Sequence, residues 1–168
     1  MPRLIRLALL ALLGACTAKT PPAPVQVFRN GATPIWSNAT LDPLRLQGDW
    51  QEIAAFAAPG TCRPGGARIT ATPQGLAISA RLCLAQGETA VQGPLAVTGP
   101  GRLLPAGTTE PWWVLWADAD YRTLAIGTPS GHFGFILNRG RPLPADRLRA
   151  AREILDWNGY DLRRLALF

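Results

Sequence analysis

Few side chains in this sequence are placed where they could support catalysis or bind a metal. Asp118 and Asp120 stand two positions apart, as paired carboxylates for acid–base chemistry can, but the residues around them are typical of a hairpin turn. The single histidine, His132, cannot by itself supply the three or four ligands of a zinc site. None of the serines lies in a nucleophile-elbow motif. The sequence therefore predicts no enzyme, no metal and no cofactor.

Glu52 is the remaining titratable residue of interest, because it follows Trp50 in an apolar run that is typical of a strand. A carboxylate that points into a protein interior must be paired or hydrogen-bonded, since an isolated buried charge is very costly. We expect Glu52 to anchor the structure. A contact with a polar group of a ligand is the alternative.

Three short segments carry the strongest motif signal in the chain. The first segment is Gly48-Asp49-Trp50, followed by Glu52-Ile53-Ala54. The second, Asp118 to Arg122, is typical of a turn between two strands. The third, Phe135 to Arg139, is an apolar strand that ends in arginine. Together they resemble the three motifs of the lipocalins, in the outer-membrane lipoprotein and apolipoprotein-D-like branch, over residues 41–168. The resemblance implies structural roles for these residues: Gly48, Trp50, Asp120, Tyr121 and Arg139. It also implies that Arg139 stacks on Trp50 at the closed end of a barrel.

Apolar alternation and turn residues predict eight strands, at 49–57, 66–72, 76–85, 88–97, 100–105, 112–118, 121–128 and 132–139. Eight strands at this spacing favour an all-β fold, an eight-stranded up-and-down antiparallel barrel. Leu148, Ala151 and Leu155 recur at helical spacing, with Pro144 before them and Asn158-Gly159 after them. They predict one C-terminal helix over 145–157, packed outside the barrel, before a last strand at 164–168.

The two-residue period of a strand assigns side chains to the inside of the barrel. Counting back from Arg139 places Phe135 and Phe133 inside, and counting on from Trp50 places Glu52 and Phe56 inside. By analogy with the family, alternate residues of the tryptophan-rich strand also face inward, while Trp113 and Leu115 lie under the helix. The predicted ligand-binding set is Phe56, Trp112, Val114, Trp116, Phe133 and Phe135. The alternative is that these aromatic side chains simply fill a small barrel.

The first residues carry a targeting signal rather than part of the fold. Arg3 and Arg6 precede a short apolar run that is too short to span a bilayer. Leu13-Gly14-Ala15-Cys16 resembles a bacterial lipobox, which predicts a signal peptide at residues 1–15 and lipidation of Cys16. An ordinary secretory signal with an incidental cysteine is the alternative. Residues 16–40 are predicted to form a lipidated, proline-rich tether, and Thr17 favours the outer membrane with the barrel facing the periplasm.

Two cysteines remain once Cys16 is assigned to lipidation. An even pair in an oxidising compartment favours a disulfide, so Cys62 and Cys83 are predicted to be joined across a hairpin. This bond would close a loop of about twenty residues and stabilise the fold by roughly 3 kcal/mol.

Charge and composition limit the partners. The formal net charge is +6 at pH 7, but the arginines are scattered and no basic run is interleaved with aromatics, which argues against a nucleic-acid partner. The first functional hypothesis is a membrane-anchored lipocalin that binds or carries an apolar or amphiphilic molecule, such as a fatty acid or a lysophospholipid. The second is a periplasmic interaction protein, a protease inhibitor or envelope assembly factor, with a filled barrel.

Overall fold

The computed structural model of this chain describes residues 25–57, 60, 62–85, 87–140 and 142–168. The signal peptide, Cys16 and most of the predicted tether lie outside the described residues. No helix among the described residues is both long enough and apolar enough to cross a bilayer.

The described chain forms a strand-rich domain with one helix. The strands are β1 (Gly48–Phe56), β2 (Gly66–Thr72), β3 (Gly75–Leu84), β4 (Gly87–Gly99), β5 (Arg102–Pro105), β6 (Trp112–Ala117), β7 (Thr123–Gly127), β8 (Gly134–Asn138) and β9 (Leu165–Leu167), and helix α1 is Ala145–Trp157. A short 3-10 helix, Pro43–Leu46, precedes β1. The eight predicted strands are confirmed to within two residues at each end, and the predicted helix is confirmed at both ends.

Strands β1 to β8 form a closed eight-stranded antiparallel barrel, which confirms the predicted fold class. Each strand pairs with the next along the chain, and β1 closes the barrel by pairing with both β8 and β2. Only the first half of β1 pairs with β2, over Gly48–Gln51, while β9 pairs with residues 54–56. The barrel wall therefore has a seam where β1 extends past the start of β2.

Helix α1 covers one side of the barrel and creates a second core outside it. Ala151 and Leu155 of α1 are fully buried against Leu115 of β6 and Ile136 of β8. The helix ends where the sequence predicts, with Asn158 as its C-cap and Gly159 at φ +85°. Left-handed backbone of this kind is favoured by glycine and is common just beyond helix ends.

Two β-bulges reverse the alternation of side chains and overturn part of the predicted interior. In β1 the register shifts between Glu52 and Ala54, and in β6 it shifts between Val114 and Trp116. The extra residue of a bulge sends every later side chain to the opposite face. Phe56 and Trp116 therefore belong to the outer core beneath α1, and their predicted inward orientation is wrong.

Part of the segment that was predicted to be a tether packs against the barrel. Phe28 is 2% exposed, and its backbone is hydrogen-bonded to Gly131 and Asp161. The Phe28 ring lies 5.6 Å from the ring of Phe56, which in turn lies 4.9 Å from that of Tyr160. This cluster of buried aromatic rings lies on the outer face of the barrel wall, which explains why Phe56 is buried without facing the barrel interior.

Candidate functional site

The open end of the barrel holds a cavity of about 720 Å³. Its apolar lining comes from the ends of β3, β4 and β6 and from the residue before β8: Leu84, Val91, Trp112 and Phe133. Its polar lining comes from the start of β4 and from the segments around the opening: Gln26, Glu88, Thr89, Thr108, Thr109, Glu110 and His132. We call this cavity the mouth. Its volume lies within the range of about 300–1,000 Å³ that is typical of small-molecule sites.

Two aromatic rings form the floor of the mouth. Trp112 and Phe135 meet edge to face, with ring centroids 5.1 Å apart at an interplanar angle of 80°, an arrangement that aromatic pairs favour. Trp112 is 3% exposed and Phe135 is fully buried. Below them Val114 and Leu137 belong to one continuous apolar cluster that fills the interior toward the closed end. The barrel is thus open at its mouth and filled beneath it.

Phe133 is held in place by a buried hydroxyl group. The Tyr160 hydroxyl donates a hydrogen bond to the Phe133 carbonyl at 2.7 Å and accepts one from the Thr128 N–H at 2.8 Å. Burial raises the pKa of Tyr160, so the phenol remains protonated and continues to donate. The Phe133 ring lies 6.2 Å from that of Phe135, at the edge of the floor.

The structure separates the predicted ligand-binding residues into three groups. Trp112 and Phe133 line the mouth. Val114 and Phe135 face the interior as predicted but do not line the mouth: Phe135 forms the floor with Trp112, and Val114 lies in the filled core beneath it. Phe56 and Trp116 face the outer core and do not line the mouth.

Sequence reasoning missed several residues of the mouth. Val91 and Thr89 lie on one face of β4, a strand that was predicted without an assigned orientation. Leu84 ends β3 as predicted, and the same alternation would have placed it inside with Leu82. Glu110 lies in a loop, where no periodicity applies.

The charged groups of the rim are acidic. The Glu110 carboxylate lies 3.4 Å from His132 Nδ1, with side-chain exposures of 30% and 42%. Glu88 instead pairs with Arg81 at 2.6 Å, and both side chains are mostly exposed on the outer surface. None of the described residues that line the mouth is lysine or arginine.

The closed end confirms the predicted stack of the first and third motifs. The Arg139 guanidinium carbon lies 3.9 Å from the centre of the Trp50 ring, a cation–π contact of about 0.5–2 kcal/mol. Trp50 Nε1 donates to the Leu46 carbonyl and Arg139 donates to the Arg45 carbonyl, each at 2.8 Å. Gly48 begins β1 at φ +123°, a conformation that favours glycine. The short 3-10 helix thereby covers the end of the barrel.

The second motif is a turn that supports this closure. Tyr121 adopts φ +55°, and its hydroxyl accepts a hydrogen bond from the Asp42 N–H at 2.8 Å. The Arg45 guanidinium lies 3.9 Å from the Tyr121 ring centre. Asp118 accepts from the backbone N–H groups of Arg122 and Thr123, whereas Asp120 is exposed. The Asp118 carboxylate thus holds the turn together.

Glu52 lies at the seam of the barrel wall, where its carboxylate accepts backbone hydrogen bonds that a neighbouring strand would otherwise accept. Its carboxylate accepts hydrogen bonds from the Cys83 N–H at 2.8 Å and the Gly65 N–H at 2.9 Å. Cys83 lies beyond the end of β2, so its N–H has no strand partner on that side. Burial raises the pKa of Glu52 to about 6, although the two N–H groups act in the opposite direction. The expectation that Glu52 anchors the structure is confirmed.

The predicted disulfide closes the same seam. Cys62 and Cys83 are bonded, with Cα atoms 5.5 Å apart. Beside them, a Cβ on Gly65 would approach the Arg81 carbonyl oxygen to 1.8 Å, so the close approach of the two segments requires glycine. The wall is completed by the Ala85 N–H, which donates to the Phe56 carbonyl.

The lining of the mouth can bind a small molecule. Among the residues that the structure describes, no group of three or more His, Cys, Asp or Glu side chains is placed to hold a metal ion. An apolar floor with polar side chains around its opening suits a molecule that has an apolar part and a polar end.

Comparisons with known proteins agree with this geometry. A family model described as "Lipocalin-like domain" matches residues 84–168. No curated protein matches the chain by sequence. Insecticyanin from the tobacco hornworm Manduca sexta superposes with a TM-score of 0.60 at 14% identity, covering 84% of this chain and 87% of that one. The cockroach allergen Per a 4 superposes with a TM-score of 0.59 at 12% identity, covering 82% and 94%.

A third similar structure is the siderocalin Ex-FABP, a protein described as functioning through dual ligand specificities. It superposes with a TM-score of 0.55 at 15% identity, covering 74% of this chain and 93% of its own. At such identities these likenesses show a shared fold.

Proposed function

The chain belongs to the lipocalin-like domain family, and we propose that it binds a small apolar or amphiphilic molecule, of the size of a single acyl chain with its head group, in the mouth of the barrel. Fatty acids and lysophospholipids are the ligand classes that follow from the family. The proposal involves no bond chemistry.

The observation that carries the proposal is the contrast between the mouth and the interior beneath it. Leu84, Val91, Trp112 and Phe133 surround a cavity of about 720 Å³, while the next layer is packed. A ligand would insert its apolar part as far as the Trp112–Phe135 floor and leave its polar end at the rim. Each buried methylene contributes about 0.8 kcal/mol before the costs of association.

The test is fluorescence titration with N-phenyl-1-naphthylamine, an uncharged apolar fluorophore, on wild type and on Thr89→Trp. Thr89 faces the mouth from β4, and an indole there would occupy the cavity without disturbing the buried floor. We expect wild type to bind one equivalent saturably and Thr89→Trp to bind at least about tenfold more weakly.

Thr98→Trp provides the matched control, since Thr98 lies on the same strand but is exposed away from the mouth. It should bind the fluorophore as wild type does. Absence of saturable binding to folded wild type would overturn the proposal and favour an interaction protein with a filled barrel. Equal binding by both tryptophan variants would show that any bound fluorophore lies elsewhere.

We also propose that the protein is anchored by a lipid on Cys16, in the outer membrane with the barrel in the periplasm. Support comes from the lipobox-like residues before Cys16. Val25 and Gln26 lie at the mouth, and nine positions separate Cys16 from Val25. Such a segment spans at most about 30 Å when extended, so an anchor at Cys16 would keep the mouth near the bilayer.

Expression of the full chain and of Cys16→Ser tests the anchor. Wild type should be recovered with outer-membrane fractions and should incorporate a palmitate analogue, whereas Cys16→Ser should do neither. Incorporation of the analogue by Cys16→Ser would exclude lipidation at this residue.

A further inference from the structure

We propose that the mouth prefers amphiphiles whose polar end carries a positive charge, such as an amine or a quaternary ammonium, over those that end in a free carboxylate. This inference rests on the proposed function and specifies its ligand class. It would exclude fatty acids as the preferred ligand.

The first observation is the distribution of charge. The chain has 17 basic and 11 acidic residues, so a mouth of average composition would carry positive charge. The described lining has the opposite character, with Glu110, Glu88 and His132 at the rim and neither lysine nor arginine among the lining residues. The mouth is therefore an acidic opening in a basic protein.

The second observation is the direction in which each carboxylate is engaged. Glu88 pairs on the outer surface with Arg81 at 2.6 Å, so its charge is offset there. Glu110 is only 30% exposed and lies beside His132 across a longer distance of 3.4 Å. Glu110 is thus the carboxylate whose field acts most directly on the polar end of a bound molecule.

The third observation is the surface that a head group would meet. Phe133 presents an aromatic ring at the edge of the mouth, and aromatic faces attract cations while offering nothing to an anion. The remaining rim groups, Thr89, Thr108 and Thr109, are neutral and can hydrogen-bond either kind of head group. A carboxylate in the mouth would therefore face Glu110, and none of the described lining residues is a lysine or arginine that could offset it.

The experiment compares three ligands that share a ten-carbon chain and differ in head charge: decyltrimethylammonium, decylphosphocholine and decanoate. In each assay the ligand displaces N-phenyl-1-naphthylamine from the full-length protein, at ligand concentrations below those at which the ligand forms micelles. The buffer has low salt and a pH of 8, which is above the usual titration range of imidazole. We expect decyltrimethylammonium to bind about three- to tenfold more tightly than decanoate, as one partly screened carboxylate allows. Decylphosphocholine should fall between them.

Glu110→Gln tests the residue that carries the inference. The neutral amide keeps the shape of the side chain, so this variant should still bind the uncharged fluorophore while the preference for decyltrimethylammonium falls to about twofold or less. Glu153→Gln is the control, because Glu153 is an exposed residue of α1 paired with Arg149 and distant from the mouth. Its preference should match that of wild type. High salt should reduce the wild-type preference as well.

The outcomes separate this inference from the proposed function. Saturable fluorophore binding together with equal or tighter binding of decanoate would overturn the charge preference and leave the binding function standing. A preference that is unchanged in Glu110→Gln would also overturn the inference, because the selectivity would then arise elsewhere. Failure of wild type to bind the fluorophore and all three ligands would overturn both.

Discussion

At the closed end of the barrel, the Arg139 guanidinium carbon lies 3.9 Å from the centre of the Trp50 ring, and each side chain donates a hydrogen bond to a backbone carbonyl. At the open end, Trp112 and Phe133 face a cavity of about 720 Å³. Both ends use a large aromatic ring. At the closed end a guanidinium and a 3-10 helix cover the ring, whereas at the open end the half-buried ring of Phe133 borders the cavity.

This difference assigns separate tasks to the two ends. A covered ring contributes packing and cation–π energy to the folded state, whereas the half-buried ring of Phe133 gains further contact only when a ligand enters. Substitutions at the closed end should thus change stability and leave binding intact. Substitutions of residues that line the mouth should do the reverse, and the predictions for Phe135, Phe133 and Arg139 test this division.

Phe135→Ala should have the largest effect, because it removes a fully buried ring from the floor. We expect a loss of about 3–5 kcal/mol in the free energy of unfolding, measured by urea denaturation. Phe133→Ala is its counterpart two residues away, half-buried at the edge of the mouth, and should cost less than about 2 kcal/mol while changing fluorophore affinity. Equal destabilisation by the two substitutions would contradict the conclusion that the packed interior begins at the floor and that the mouth above it is open.

Removal of the disulfide should rank second. The Cys62–Cys83 bond joins residues 21 positions apart in sequence, so the double variant Cys62→Ser/Cys83→Ser should lose about 3 kcal/mol of stability, chiefly by relaxing a constraint on the unfolded chain. Comparing the urea midpoint of the oxidised wild type with that of the double variant measures this loss of stability. A loss below about 1 kcal/mol would show that Glu52 holds the seam without the covalent bond.

Arg139→Ala should destabilise the protein by about 1–3 kcal/mol, through loss of packing and of the contact with Trp50. Fluorophore affinity should not change once the variant is folded. Arg163→Ala is the control, since the Arg163 side chain is 89% exposed, and it should shift the urea midpoint little. A neutral effect of Arg139→Ala would mean that the closed end does not carry the stability assigned to it.

The pH dependence due to Glu52 should be the smallest effect, at most about 2 kcal/mol. Its pKa is about 6 in the folded protein and 4.5 as the reference value, so the folded state binds the proton more tightly. The stability that comes from protonated Glu52 is then fully present below pH 4.5 and is lost as pH rises through 6.

Urea unfolding from pH 4 to pH 7.5 on wild type and Glu52→Gln isolates this contribution. The difference in unfolding free energy between the two proteins should vary across that interval and level off on either side. A difference that does not depend on pH would contradict the raised pKa, and with it the burial of the carboxylate at the seam.

Local sequence patterns predicted the elements of this fold closely. Turn residues and apolar alternation located all eight barrel strands, and Pro144 and Asn158-Gly159 delimited helix α1, because these signals act within a few residues of where they lie. The stack of Arg139 on Trp50 followed from the family motifs, and the disulfide from the count of cysteines.

The orientation of side chains was predicted only as far as the first irregularity in each strand. Phe135 and Trp112 face inward as alternation requires, whereas Phe56 and Trp116 follow bulges at Ile53 and Leu115. No local residue pattern in the sequence marks these bulges, because they arise from how neighbouring strands pair across the barrel. Phe56 accordingly packs against Phe28 and Tyr160, which are distant in sequence.

The sequence by itself determined the strands, the helix, the closed end and the disulfide, since each depends on local propensity, on a recognisable motif or on a pair of matching residues. Only the tertiary structure decided that Glu52 fills a seam between β1 and β3, that the interior is packed below Trp112, and that Glu110 and His132 meet at the rim. These features depend on distances between segments far apart in the chain, which are fixed when the barrel closes.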